Sequence, residues 1–232
     1  MRYESIVLKT FNRTPDTLSL RFQKPKEFNY SPGQFTFLSI ENKDKKLVKH
    51  FTISSSPSED FLEITKKLTG HEYSNTLLTL KKGNGVTLDG PYGDFIYLGE
   101  PEKVLFLTGG IGITPIRSMI RYCADKAVNS DMKLIYSCSN ENSIIFKEEF
   151  NELHDLNNKL RVFYTITKPE GEWSGLVGRI NSQMIMKLVP DYNSRLTYVS
   201  GPPNMVDAMT EILIKNLDVS PDRVKKESFK GL

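Results

Sequence analysis

The stretch "LFLTGGIGITPIRSMI", Leu105 to Ile120, decides the fold. An apolar run breaks into glycines and resumes with Ile116, Met119, Ile120 and Cys123 at helical spacing. That grammar is a buried parallel strand running through a tight loop into a helix. Glycines let a phosphate approach the backbone closely, and a helix start offers unpaired N–H groups to an anion. No Lys-Ser/Thr pair follows the glycines, which excludes a Walker loop. Gly110 and Gly112 supply Gly-x-Gly, but Pro115 stands where the usual dinucleotide fingerprint has its third glycine. Thr114 reads as the N-cap and Pro115 as a first-turn residue. The same residues would also make a strand-to-helix turn that holds no ligand.

Downstream, "MKLIYSCS", "FKEEFNELHDL", "LRVFYTIT", "NSQMIMKLV", "RLTYVSG", "PNMVDAMTEILIKNL" and "RVKKESF" continue the alternation of strand and helix. This predicts a doubly wound parallel sheet. Upstream, "YESIVLKT", "TLSLRFQ", "GQFTFLSI", "FTISS" and "FLEITKKL" are short segments rich in β-branched and aromatic residues, divided by breakers such as "SPG" and "SPSED". They predict an antiparallel barrel, with one helix at "YSNTLLTLKK". The change of grammar lies near "GEPEK", residues 99–103. It divides the chain into residues 1–100 (β) and 101–232 (α/β).

Composition narrows the function classes. The 232 residues are 38% hydrophobic and 25% charged, with a formal net charge of +3. That balance suits an ordinary globular protein and not a dedicated nucleic-acid binder. Cys123 and Cys138 are too few for a four-thiolate cluster, make no zinc ribbon, and fit a reducing cytosol. The N-terminus has no apolar signal core and no run is long enough to span a bilayer, so a cytoplasmic location and no membrane span are expected. His50, His71 and His154 are scattered, and no metal site is expected.

Three other stretches join the opening loop. "KHFTISSSP" (Lys49–Pro57) places a cation, an aromatic ring and hydroxyls on one strand edge. "TGHEYSNTLL" (Thr69–Leu78) sets a glycine and Ser74-Asn75 before a helix, and "DGPYGDF" (Asp89–Phe95) reads as a tight glycine-rich turn. The chain thus carries two anion-friendly turns, one in each half.

With "SPGQF", "KHFTISSSP", "GHEYSN", "DGPYGDF", "TGGIGITP", "GLVGRI", "YVSGPPNM" and "KESFKGL" in this order, the chain resembles the ferredoxin–NADP reductase superfamily over nearly its full length, specifically its compact two-domain flavin reductases. The resemblance implies a six-stranded barrel that binds FAD, in preference to FMN, and an α/β domain that binds NADH or NADPH. It matches Lys49, His50, Phe51 and Thr52 to the family's Arg-x-Tyr-Ser/Thr flavin motif. Lys49 would approach the flavin phosphates, Phe51 would pack on the isoalloxazine ring, and Thr52 would hydrogen-bond near flavin N5. Lysine replaces a planar guanidinium with a point charge, and phenylalanine keeps the stacking surface without the hydroxyl. Gly70, Ser74 and Asn75 match the flavin pyrophosphate segment; Ile53, Tyr73 and Phe95 complete the flavin contacts.

On the nicotinamide side the resemblance implies Thr108, Gly109, Gly110, Gly112, Ile113, Thr114 and Pro115 at the pyrophosphate, with Ser139, Gly201, Pro202 and Met205 around the rest of the cofactor. Ser200 stands where the family usually has cysteine, Glu227 matches an acidic residue near the flavin edge, and Phe229 is the only ring near the C-terminus. Thr52, Ser200 and Glu227 are the expected reacting edge. Hydride transfer to a flavin needs positioning more than side-chain acids or nucleophiles. "YSCSNENSIIFKEE" offers Ser139, Asn140 and Glu141 with no arginine, which favours NADH over NADPH.

The implied activity is hydride transfer from NAD(P)H to bound FAD, then electron transfer to an acceptor. The acceptor stays open between a ferredoxin, a flavodoxin, an oxygenase component and a small molecule. Lys43, Lys45 and Lys46 in "NKDKKLVK" make either a solvated hairpin or a docking patch for an acidic protein acceptor. Competing readings are a reductase that uses free flavin as substrate, and a non-enzymatic nucleotide-binding module on the same fold. A cluster-bearing subunit of a larger dehydrogenase is disfavoured because the cysteine-rich segment is lacking, and a phthalate-dioxygenase-type reductase because no ferredoxin domain is expected on this chain.

Overall fold

A computed structural model describes residues 1–43, 45–156 and 158–229. By contacts the chain falls into two compact units, Met1–Leu98 with Thr114–Asp125, and Gly99–Ile113 with Lys126–Leu232.

The first unit contains β1 (Arg2–Thr14), β2 (Thr17–Gln23), β3 (Phe35–Asn42), β4 (Lys45–Thr52), β5 (Phe61–Lys67), α1 (Glu72–Thr79) and β6 (Gly85–Tyr92). Its strands form one six-stranded antiparallel sheet in the order β4-β3-β6-β1-β2-β5. At the edges of the sheet Ile53, just past β4, bridges Ile64 of β5. That bridge makes the curled sheet a barrel with a seam. Alternation fills the inside: Leu18, Leu20 and Phe22 of β2, Leu38 and Ile40 of β3, and Leu62 and Ile64 of β5 share one core with Leu77 of α1.

Two readings of the sequence need correction here. "FTISS" is not a strand of its own; β4 starts earlier, at Lys45, and ends at Thr52. "DGPYGDF" is not only a turn, because Asp89–Tyr92 complete β6 and the chain turns at Gly93 (φ +99°). Pro91 hid that strand, since proline is depleted within sheets.

The second unit contains β7 (Lys103–Gly109), β8 (Asp131–Cys138), α3 (Lys147–Leu156), β9 (Leu160–Ile166), β10 (Leu176–Val177), α4 (Ser182–Leu188), β11 (Leu196–Gly201), α5 (Pro203–Glu211) and β12 (Val224–Ser228). The parallel order is β10-β9-β8-β7-β11-β12, so the winding reverses between β7 and β11. Such a switch point is where open α/β sheets bind ligands, outside the carboxyl ends of the strands. β7 is a continuous apolar run from Val104 to Leu107, all fully buried, as suits a parallel strand covered on both faces.

Helix α2 (Ile113–Asp125) follows β7 through a single 3-10 turn, Gly110–Gly112. Thr114 therefore lies inside the helix and is not its N-cap; the glycines already wind the chain before the threonine is reached. Ile116, Met119, Ile120 and Cys123 are fully buried. From Thr114 to Asp125 the helix groups with the first unit, although its sequence belongs to the α/β half.

Candidate functional site

In the first unit the flavin-motif residues alternate along β4. His50 points to an exposed cluster of rings, with centroids 5.7 Å from Phe35 and 5.9 Å from Phe37. Phe51 points the opposite way and lies tilted against Tyr73 of α1, at 5.5 Å. The Tyr73 hydroxyl donates to Leu38 O at 2.8 Å, which fixes this aromatic wall, and burial pushes its pKa up. Thr52 is 5% exposed and its Oγ1 is buried with no hydrogen-bond partner among the described residues. An orphaned buried hydroxyl is costly unless something else satisfies it. Ile53 is buried at the seam, its N–H donating to Gln34 O at 2.9 Å.

The turn into α1 leaves backbone donors without a side-chain cap. Gly70 is left-handed (φ +72°) with open space where a Cβ would stand. His71 takes the N-cap position and makes no side-chain cap bond, leaving the first-turn N–H groups without that partner. Side chains shape the turn: Asn75 Nδ2 donates to Gly70 O at 2.8 Å, and Ser74 Oγ lies 3.1 Å from Thr69 Oγ1. Ser74 and Asn75 thus stand in the predicted segment as braces of the loop.

Sequence reasoning missed Lys66. Burial lowers its pKa, and the nearby Lys49 charge lowers it further. Among the described residues neither ammonium makes an ion pair with a carboxylate. Two uncompensated cations in one unit fit a phosphate-bearing group such as FAD. The signal was in "EITKK", but only the pairing of β4 and β5 across the seam reveals it. Lys45, by contrast, is tied to Glu72 at 2.8 Å, which takes one charge from the docking patch that stands as the alternative to a solvated hairpin.

In the second unit the glycines of the opening loop are there for space. A Cβ on Gly109 would meet Met205 Sδ at 2.3 Å, and one on Gly112 would meet Ser200 O at 2.5 Å and Gly201 Cα at 2.6 Å. Gly110 is left-handed (φ +54°) and faces open space. The β7 and β11 loops therefore interlock at the switch point and leave one uncrowded glycine. Ser200 is fully buried; its hydroxyl donates to Gly112 O at 2.8 Å and lies 3.2 Å from Thr108 Oγ1. Thr108 Oγ1 in turn donates to Ser200 O at 2.9 Å. This hydroxyl pair locks the loop.

Glu227 of β12 lies level with Ser200 in the parallel ladder. Its Oε2 is buried without a hydrogen-bond partner among the described residues, and burial pushes its pKa up to about 7. Phe229 follows, its N–H donating to Gly201 O at 3.0 Å. Pro202 opens α5 and accepts from Met205 N at 2.9 Å. Ser139 is exposed just beyond β8, its hydroxyl 3.2 Å from Ser143 Oγ. Thr108, Gly109, Gly110, Gly112, Ser200, Gly201, Met205 and Glu227 thus converge on the carboxyl ends of β7, β11 and β12, whereas Ser139 stands at the end of β8. Thr114 and Pro115 fall in the first unit with Phe95, which is 7% exposed and whose carbonyl lies against Gly33.

Comparisons agree with both halves. The FAD-binding domain profile matches residues 3–95, and the oxidoreductase NAD-binding domain profile matches residues 106–211. The chain belongs to the ferredoxin–NADP reductase superfamily. The glycine betaine monooxygenase reductase subunit of Chromohalobacter salexigens is 32% identical to this superfamily member over 238 residues, covering 98% of the chain. The chain spans 64% of that protein's length. The flavohem-like FAD/NAD-binding domain of nitric oxide dioxygenase from Vibrio cholerae shares the fold, with a TM-score of 0.87 at 20% identity over 97% of this chain and 98% of that one. A ferredoxin NADP+ reductase from Neisseria gonorrhoeae with bound FAD and NADP gives 0.82 at 19% identity, covering 98% of each chain. Among the described residues no helix of this reductase-family chain is long and apolar enough to cross a membrane.

Proposed function

We propose that the chain is an FAD-dependent NAD(P)H oxidoreductase that serves as the reductase part of an oxygenase system. The observation that carries this reading is the pair of open left-handed glycines, Gly70 and Gly110, one at each anion-friendly turn. The orphaned Thr52 hydroxyl adds to it. When bound, FAD supplies acceptance of a hydride from NAD(P)H and release of the electrons to an acceptor.

The chain's own residues bind and orient. Lys49 and Lys66 balance phosphate charge, and the α1 turn offers N–H groups to the pyrophosphate. Phe51 and Tyr73 give an apolar wall, and Thr52 offers its hydroxyl to a polar edge. The interlocked Thr108–Ser200 pair keeps Gly109–Gly112 in shape for the dinucleotide. Burial raises the Glu227 pKa to about 7, so its carboxyl exchanges a proton around neutral pH. Residues 1–100 carry the flavin role and residues 101–232 the nicotinamide role, with α2 shared between them. NADH is the preferred donor, because Lys147, the first lysine after Ser139 and Asn140 in sequence, is already held by Glu141 at 2.6 Å. The acceptor is an oxygenase component, in keeping with the relative from Chromohalobacter, and the setting is cytoplasmic.

The deciding experiment is the visible spectrum of the purified protein, with identification of any flavin released on denaturation. FAD near one per chain, together with faster oxidation of NADH than NADPH, is expected. Colourless protein that takes up no added FAD overturns the reading. Loss of flavin on gel filtration with retained turnover of added flavin points to a reductase of free flavin.

A further inference from the structure

Helix α2 buries the polar side chains of Thr114, Arg117 and Ser118, and the last two bond to one neighbouring segment. Arg117 is 2% exposed and Ser118 is fully buried. Arg117 Nη1 donates to Ser54 O at 3.0 Å and to Glu59 Oε2, and Nη2 donates to Glu59 Oε1 at 3.0 Å. Ser118 Oγ donates to Ser55 O at 2.6 Å. Glu59 Oε2 also accepts from Ser56 N at 2.7 Å, which closes a ring around Ser54–Ser56. From the other side β5 holds the same segment: Ser54 N donates to Glu63 O at 2.8 Å, and Glu63 N donates to Ser55 Oγ at 2.9 Å.

This segment begins two residues after Thr52. Met119, on the same helix, packs its methyl end closely against Gly33. A Cβ on Gly33 would meet Met119 Cε at 2.6 Å and Phe95 O at 2.0 Å. One helical turn earlier on α2 stand Thr114 and Pro115, the end of the dinucleotide loop. A buried ion pair is a costly way to pack a helix when apolar side chains would serve. Its forked, directional geometry fixes position instead.

Building on the function proposed above, we propose that Arg117 and Ser118, with Glu59, are positioning residues that tie the dinucleotide loop to the flavin-facing strand end, so that the two cofactors bind cooperatively. A shift of α2 on loading of the loop moves the backbone carbonyls of Ser54 and Ser55, and with them Thr52. By linkage, flavin binding tightens dinucleotide binding by the same factor.

The test is a binding cycle on the full chain without turnover. FAD affinity of the apoprotein is measured with and without saturating NAD+ (or NADP+, whichever binds), following flavin absorbance and fluorescence. Wild type is expected to bind FAD about five-fold or more tightly with the dinucleotide present. The double variant Arg117→Met/Glu59→Met removes both charges at once and leaves neither unpaired. It is expected to keep its circular dichroism spectrum and its capacity for FAD while the five-fold factor collapses towards one. Ser118→Ala, a smaller change, is expected to reduce the factor without loss of fold, and it decides the matter if the double variant does not fold. No coupling in wild type, or an unchanged factor in the variants, overturns the clamp. Wild type that binds neither FAD nor dinucleotide overturns the underlying function instead.

Discussion

Each unit buries a carboxyl beside its candidate site, and the two are treated in opposite ways. Glu63 in the first unit is fully buried and takes hydrogen bonds from Arg13 at 2.9 Å, Arg21 at 2.8 Å and Ser19 at 3.2 Å. Burial alone would raise its pKa, but the charges of Arg13 and Arg117 and the arginine hydrogen bonds outweigh that and hold it below the usual carboxylate range. Oε2 of Glu227 in the second unit has no such partner among the described residues, and burial pushes the carboxyl up to about 7. The glycines differ likewise: Gly112 is hemmed in by backbone, while Gly70 stands in open space. The first site is shaped by side-chain charge and hydrogen bonds, and the second by backbone interlock with one proton-holding group at its edge.

Substitutions separate these two designs. The largest effect is expected from Glu63→Ala, which strands Arg13 and Arg21 beside a new cavity and costs about 3–5 kcal/mol in denaturant unfolding. The wild-type contribution of Glu63 is present above the ordinary carboxylate pKa and disappears as pH falls through its depressed folded value. Gly112→Ala drives a methyl into Ser200 O and Gly201 Cα and is expected to cost about 3 kcal/mol, with loss of dinucleotide binding by titration.

Glu227→Gln comes next, and its sign is opposite to that of Glu63. A carboxyl whose folded pKa is raised contributes stability fully present below the unfolded value, about 4.3, and lost as pH rises to about 7. Wild type is therefore expected to lose about 3 kcal/mol between pH 4.5 and 8 that the glutamine variant does not lose. A matching pH profile for both proteins would show that Glu227 titrates normally. The smallest effect belongs to Gly70→Ala, which meets no atom and carries only the left-handed strain, about 1 kcal/mol in stability. A weakening of FAD retention beyond that strain would place the cofactor against Gly70.

Most of the scaffold was legible because periods of two and of 3.6 residues are local. β2 occupies the quoted "TLSLRFQ" to the residue, and α2 buries its apolar stripe as spaced. The misses share a cause in chain-distant pairing or in punctuation residues used against type. β6 runs through Pro91, and β10 is only Leu176–Val177, too short to carry a pattern. The weight carried by Glu63 depends on Arg13, fifty residues away in sequence, and that of Arg117 on Glu59, fifty-eight away. Nothing in "FLEIT" or "TPIRS" alone marks those residues. The glycine loop was legible as a close approach, but not that Ser200 would lock it, since the hydroxyl meets Gly112 only through the β7–β11 pairing.

The seam at Ile53–Ile64 has a kinetic meaning. Lys49, Phe51 and Thr52 lie on the edge strand that this bridge pins, so the amides around Ile53 should exchange with solvent before those of β1 and β2 in the middle of the sheet. A group seated along that edge can leave only as fast as the edge lifts. The residence time of a prosthetic group would then follow the opening rate of the barrel, so changes at Ile64, remote from the phosphate-binding turns, could bleach the protein.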